Sequence, residues 1–322
     1  MMDWTDRHCR AFHRQITRHA LLYTEMVTAR AIRHGDRQRL LGFTEIEQPV
    51  ALQIGGSEPE LLAEASKWGE DFGYREINLN VGCPSDRVQT GRFGACLMAE
   101  PELVRDCLGA MRAAVRVPVT IKCRIGIDEQ DEEEDFTRFV ETVMQSGVTT
   151  FIVHARKAWL KGLSPKENRE VPPLNYARVY ALKKKHPGLT ILVNGGIETM
   201  DDAVAHLDHV DGVMLGRAAY HTPWILHEVD HRIYGAPQEL DVTALDMVER
   251  MKPYISKELA EGVWLQNITR HMLGLFHGQP GGKLWRRVLS EEASKPGAGL
   301  DVLDKAAAEV ASRLKPMNVA AE

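Results

Sequence analysis

The sequence has no apolar run near the ~20 residues that a membrane-crossing helix needs. Its opening, MMDWTDRHCRAFHR, is polar from the third residue and lacks the apolar segment of a secretory signal. It also lacks any CxxC pair. Its five cysteines, at 9, 83, 96, 107 and 123, are an odd number, which excludes a full disulfide framework and argues against a zinc site. These absences lead to the expectation of a metal-free protein of the reducing cytoplasm. An excess of positive charge is missing too, because the formal net charge is −5. Any nucleic-acid contact must therefore rest on basic residues gathered locally. What is present is ordinary globular material: 322 residues, 44% hydrophobic and 26% charged, enough for one barrel-sized domain and a smaller one.

Seven short apolar runs recur along the chain: LLYTEM from Leu21, VALQIG from Val50, EINLNVG from Glu76, VPVTIKCRIG from Val117, TFIVHAR from Thr150, LTILVNGG from Leu189 and DGVMLGR from Asp211. Runs such as FIV and ILV are apolar on successive residues, as in parallel strands covered on both faces. Between them lie PELLAEASKWGEDFG and PELVRDCLGAMRAAV, apolar at helical spacing. The alternation predicts right-handed βαβ crossovers and a (β/α)8 TIM barrel. A closed barrel needs eight strands, and the chain opens with a helix capped at Asp3 or Thr5 and running to about His19. The expected reconciliation places the first strand upstream of Met1, with Met1 and Met2 as its last residues. The alternative is an open seven-stranded sheet. From about Val242 to Lys315 the pattern is helical only, broken by HGQPGG at 277–282 and KPGAG at 295–299. This predicts an all-α bundle of about four helices, with residues 1–235 as the barrel domain and 236–322 as the helical one.

Active sites of such barrels lie at the C-terminal ends of the strands. The strand ends here carry Gln53, Asn78, Asn80, Cys83, Lys122, Arg124, His154, Arg156, Asn194, Gly195, Gly196, Gly216 and Arg217. So many polar and glycine positions suit a large polar ligand. NGGI and GR end the last two runs, where glycines let backbone N–H groups approach a phosphate and Arg217 adds a charged fork. Lys122 ends an apolar strand and points at the mouth, as a ligand contact or as a salt-bridged barrel lysine. His154 is open to either role, hydrogen bond to a ring carbonyl or strand cap. The Gln53 amide can donate to and accept from a heterocycle edge. Cys107 and Cys123 read as core, and Cys96 as a structural position. Cys83 differs: it follows a strand end, between Gly and Pro, in a polar glycine-rich loop. An ordinary thiol, with a pKa near ~8.5, is protonated at neutral pH and can serve as a general acid. Two basic clusters stand out. Residues 154–169 hold five Lys or Arg against one acid, and residues 263–290 hold four with none. Each reads as a solvated face or, with Trp159 and Trp285 beside it, as an RNA surface.

The motifs MDWTDRHCR, LLYTEM, ALQIGGS, EINLNVGCPSDRVQTGRFGACLM, HARKAWLKGLSPKENRE, NGGI, DGVMLGR and ITRHMLGLFHGQPGGKLWRR run through essentially the whole chain. In them the sequence resembles the tRNA-dihydrouridine synthases, and within them the bacterial DusA subfamily. The resemblance implies bound FMN, NADPH as reductant, and reduction of uridine at D-loop positions 20 and 20a of tRNA. It implies hydride delivery to C6 of the uracil and a proton from Cys83 to C5. By the same resemblance Met1, Met2, Gln53, Lys122, His154, Asn194, Gly195, Gly196, Gly216 and Arg217 hold the flavin. Asn80, Lys166, Asn168, Arg169, Lys283 and Arg286 hold the tRNA. The family's proline before the first-strand Met is absent here, as is the whole first strand. The competing readings are an FMN barrel that reduces a free pyrimidine and a tRNA-binding protein without catalysis. A monomer is expected.

Overall fold

All seven expected runs form strands: β1 Leu22–Thr28, β2 Val50–Gly55, β3 Glu76–Val81, β4 Val119–Arg124, β5 Thr150–His154, β6 Thr190–Asn194 and β7 Gly212–Met214. The structure is a computed structural model and describes residues 1–85, 91–131 and 133–314. Each strand pairs in parallel with the next in sequence, in the order β1 to β7. This is the curled, TIM-barrel-like arrangement that βαβ crossovers build. The chain divides into two compact units. Met1–Asp3 and Leu21–Gly216 form one, while Trp4–Ala20 and the chain from Arg217 onward form the other. The division thus falls at Gly216 rather than near 235, and it takes an N-terminal segment with it.

In the first unit the strands show why both sheet faces are buried. On β3, Ile77, Leu79 and Val81 are fully buried, and they alternate with Glu76, Asn78 and Asn80 on the opposite face. On β4, Val119, Ile121 and Cys123 alternate in the same way with Thr120, Lys122 and Arg124. The apolar face is covered by crossover helices. Pro59–Asp71 and Pro101–Ala114 each place a proline in the first turn, where its missing N–H costs nothing, and an acid beside it. They bury Leu62 and Ala65, and Val104, Leu108 and Met111. Among the described residues β1 and β7 are the sheet's edges. Residues Met1–Asp3 lie between them. The Met1 sulfur is 3.8 Å from where a Cβ on Gly216 would stand, just past β7. The Asp3 N–H donates to Glu25 on β1.

The second unit is helical. Its N-terminal helix is Arg7–Ile16, shorter than expected, and its cap is Asp6 rather than Asp3 or Thr5. The Asp6 carboxylate accepts from His8 N and Cys9 N, each at 3.0 Å, the second and third orphan donors of the helix. The helix buries Cys9, Ala11 and Phe12 completely. Polar contacts hold it within the unit: Arg7 to Glu258 at 2.6 Å, His8 Nδ1 with the Tyr254 hydroxyl at 2.7 Å, and Arg270 to Asp6 at 2.6 Å. Burial works to raise the Asp6 carboxyl, but His271 and Arg270 hold it well below the usual carboxylate range. The C-terminal pattern resolves into Ala244–Ala260, Leu265–Thr269, Gly282–Glu292 and Leu300–Ala311, the four helices expected. Trp285 departs from its expected role. It is fully buried, donates to Met272 O at 2.9 Å and packs edge-on to Phe276, so it is core and offers no base-stacking surface.

Candidate active site

The strand registers bring the predicted polar positions level with one another. Gln53 pairs with Asn78, Asn80 with Lys122, Arg124 with His154, and His154 with Asn194. Because neighbouring strands lie ~4.8 Å apart, these side chains reach each other across the sheet's inner face. Lys122 Nζ donates to Asn194 Oδ1 at 3.0 Å, and Asn194 Nδ2 donates onward to Met214 O at 2.7 Å. Among the described residues no carboxylate pairs with Lys122, so it is not the salt-bridged barrel lysine that was the alternative. Its partner is a neutral amide, and it carries an uncompensated cation at the strand ends. Burial, aided by Arg124, lowers its pKa to about 8.

His154, the last residue of β5, is buried. Desolvation and the cations Arg124, Lys122, Arg156 and Arg169 hold its pKa well below the ordinary histidine value, so the ring is neutral at pH 7 and acts as a hydrogen-bonding group rather than a charge. Its seat explains Gly195. A Cβ there would stand 2.4 Å from His154 Cδ2, and the backbone φ of +106° is one that side chains disfavour. Gly196 is as constrained: φ is +70°, and a Cβ would meet Leu174 at 2.5 Å and the Tyr176 hydroxyl at 2.7 Å. Tyr176 also fixes the turn by donating to Gly195 O at 2.7 Å. The glycine pair therefore presents a bare backbone beside His154.

Cys83 stands just beyond β3, partly exposed. Asn80 Oδ1 accepts from Gly82 N and Cys83 N, both at 3.0 Å, while Asn80 Nδ2 donates to Gln53 Oε1 at 2.8 Å. Asn80, expected at the tRNA, is in this structure the brace of the cysteine turn. Residues 86–90 of the cysteine loop lie outside the described residues. Arg124, a strand-end residue given no role in the sequence reading, ties three segments together. Its guanidinium donates to Gly82 O, Lys157 O and Asn168 O, each at 2.9 Å. Its signal was available in the alternation of VTIKCR, which points residues 120, 122 and 124 to one face.

The loop after β5 carries the first basic cluster. Asn168 is completely buried within it. Its Oδ1 accepts from Trp159 N at 2.7 Å, and its Nδ2 donates to Trp159 O and Leu163 O. A direct contact with RNA was expected of Asn168, but the side chain instead shapes the loop, leaving Lys166 and Arg169 on its exposed surface. Lys157 lies over the Trp159 ring at 5.9 Å. In the second unit, Lys283 is exposed and Arg286 half-buried on the helix Gly282–Glu292, with Arg287 also exposed. Arg217 opens the short helix Arg217–His221 of that unit.

The dihydrouridine synthase (Dus) family model matches residues 1–312 of the chain. The chain is 58% identical over 311 residues to a tRNA-dihydrouridine(20/20a) synthase of Yersinia pestis, covering 96% of this chain and 90% of that one. Proteins of the same description from Synechocystis sp. and Xanthomonas campestris pv. campestris are 58% and 56% identical over 306 residues, each spanning 95% of this chain and 91% and 90% of theirs. With matches of that extent, the chain belongs to the dihydrouridine synthase family.

Proposed function

We propose that this protein reduces the C5–C6 double bond of uridine in the D-loop of tRNA, at positions 20 and 20a, with FMN bound at the strand ends and NADPH as reductant. The observation that carries the reading is the Cys83 turn, braced by Asn80 beside Gln53 and level with the Lys122–Asn194 pair, in a chain of this family. The residues suit a flavin. Lys122 offers an uncompensated cation, Gln53 and Asn194 offer amides, and neutral His154 offers a ring nitrogen. The bare Gly195–Gly196 backbone, with Gly216 after β7, suits the phosphate, and the family resemblance adds Arg217, the next residue in the chain. Met1, lying against Gly216, completes the lining there, with Met2 beside it in sequence.

Bound flavin supplies hydride transfer. Reduction adds a hydride to C6 of the uracil and a proton to C5, and the thiol of Cys83 is the proton donor. Lys122, half-buried, stabilises negative charge that develops on the ligand ring. His154, neutral, orients a carbonyl. The target base must leave its stack, at a cost of a few kcal/mol that is smallest in a loop already partly unstacked. Lys166 and Arg169 on the barrel unit, and Lys283 and Arg286 on the helical one, would neutralise tRNA phosphates. Asn80 and Asn168 shape the surfaces that meet the RNA.

The test is a purified sample incubated with unmodified tRNA and NADPH. A flavin absorption spectrum and dihydrouridine at positions 20 and 20a are expected. A colourless protein that binds tRNA would establish the non-catalytic reading. A yellow protein that reduces only free pyrimidines would establish the small-substrate one.

A further inference from the structure

The inner face of the first unit carries a polar chain that the flavin and thiol do not account for. It starts at the base of β3, where Tyr23 donates its hydroxyl to Glu76 Oε1 and Thr120 donates to the same oxygen at 2.7 Å. The Thr120 hydroxyl has one proton, and Glu76 takes it, so toward its other neighbour the oxygen can only accept. It accepts from Asn78 Nδ2 at 2.8 Å. That settles which way the Asn78 amide faces: its oxygen points up the barrel and accepts from Gln53 Nε2 at 2.9 Å. Gln53 is settled in turn, and its oxygen accepts from Asn80 Nδ2 at 2.8 Å. Asn80 is left with its oxygen toward the turn, where it receives Gly82 N and Cys83 N at 3.0 Å each.

We infer that Glu76, acting through Thr120, is a positioning residue: it sets the orientation of the three stacked amides Asn78, Gln53 and Asn80, and through them the backbone that presents the Cys83 thiol. An amide can face either way at nearly equal shape, so a chain of three has no intrinsic direction. An acceptor at one end and two backbone donors at the other supply it. The role rests on the reading of Cys83 as proton donor only for its purpose, because the ladder itself is a matter of donors and acceptors. Asn78 is fully buried, so reversing it would set two N–H donors face to face and leave both unsatisfied.

Thr120→Val removes the acceptor with little change in shape. The experiment measures the alkylation rate of Cys83 by iodoacetamide, using peptide mass spectrometry, and amide hydrogen exchange at Gly82 and Cys83, at equal flavin content. The expected result is alkylation of Cys83 faster by about three- to tenfold, the weight of one buried hydrogen bond. Exchange at Gly82 and Cys83 should quicken while Ile152 and Val153 on β5 stay protected, and Thr120→Ser should restore parent behaviour. Unchanged alkylation and exchange would overturn the inference. Equal loosening of β5 would overturn it too, since that is what a merely structural threonine gives. If Thr120→Val does not fold, Glu76→Leu, which removes the anchoring acceptor itself, is judged by the same two readouts. Neither readout involves tRNA, so a failure here is distinguishable from a failure of the proposed reaction.

Discussion

The inner face of the barrel unit and the cationic face of the helical unit solve opposite problems. At the strand ends each polar group is held by another: Lys122 by Asn194, Asn194 by Met214 O, Gln53 between Asn78 and Asn80. On the helix Gly282–Glu292, Lys283 and Arg286 stand three residues apart on one side, and among the described residues neither has a hydrogen-bond or ion-pair partner. Groups fixed at folding act on a reacting base with no reorganisation left to undergo, and in a low dielectric each is worth much. Groups left in solvent are screened and individually weak, and they act by number. Under the proposed function, chemistry and grip are thus separable by how the charges are held.

The sharpest way to break the comparison is Cys83→Ala. Uridine reduction should fall by about 10²- to 10⁴-fold, the usual worth of a positioned general acid. Flavin content, NADPH oxidation and KM for tRNA should hold. Near-normal turnover of tRNA in that variant would remove Cys83 from the chemistry. Gly195→Ala comes next. Its added methyl meets the His154 ring at a backbone angle that side chains avoid, so about 1–3 kcal/mol of strain is expected. Differential scanning calorimetry should show a lower Tm, and flavin should be lost on gel filtration. An unchanged Tm would mean that His154 is not seated as described.

A smaller effect concerns pH. The pKa of Lys122 in the folded chain is about 8, below its ordinary 10.5, so between these values the unfolded chain binds the extra proton and stability rises with pH. The ligand should respond in the opposite sense. As pH climbs through about 8 the cation is lost, and flavin-free protein should bind FMN more weakly by about three- to tenfold. Lys122→Met, titrated by flavin fluorescence, should be weaker at pH 7 and flat across that window. A Lys122→Met profile that still falls near pH 8 would assign the effect elsewhere. The smallest effect is expected from the double reversal Lys283→Glu with Arg286→Glu. KM for tRNA should rise by about two- to fivefold, and the salt slope of binding should flatten by about one unit per lost phosphate contact. Flavin content should be untouched. Depleted flavin with normal tRNA affinity would reverse the division of labour.

The strands were legible because their apolar residues are consecutive, and with them the position of Lys122, His154 and the Gly195–Gly196 pair at or just past the strand ends. The amide ladder was not, although EINLNV and VTIKCR show the alternation that builds it. Alternation tells which side of one strand is polar. The ladder also depends on register between strands, which the sequence leaves open. Trp285 was misread by its neighbours: Lys283 and Arg286 flank it in sequence, but Gly282, Trp285, Val288 and Leu289 are the buried stripe of that helix. Asn168 was named by resemblance alone, and only the closed loop shows its amide turned inward. The unit boundary escaped because the membership of residues 4–20 is decided by tertiary packing alone.

That membership has a consequence for synthesis. The helix Arg7–Ile16 is translated before the strands of the barrel, yet Tyr254, Glu258 and Arg270, which hold it, are made after the last of them. Its apolar stripe of Cys9, Ala11 and Phe12 must therefore wait, uncovered, while the whole barrel is translated. A fragment beginning at Arg217 would lack this helix altogether. The helical unit should thus be recoverable only when Trp4–Ala20 is supplied, joined by a short linker or as a separate peptide.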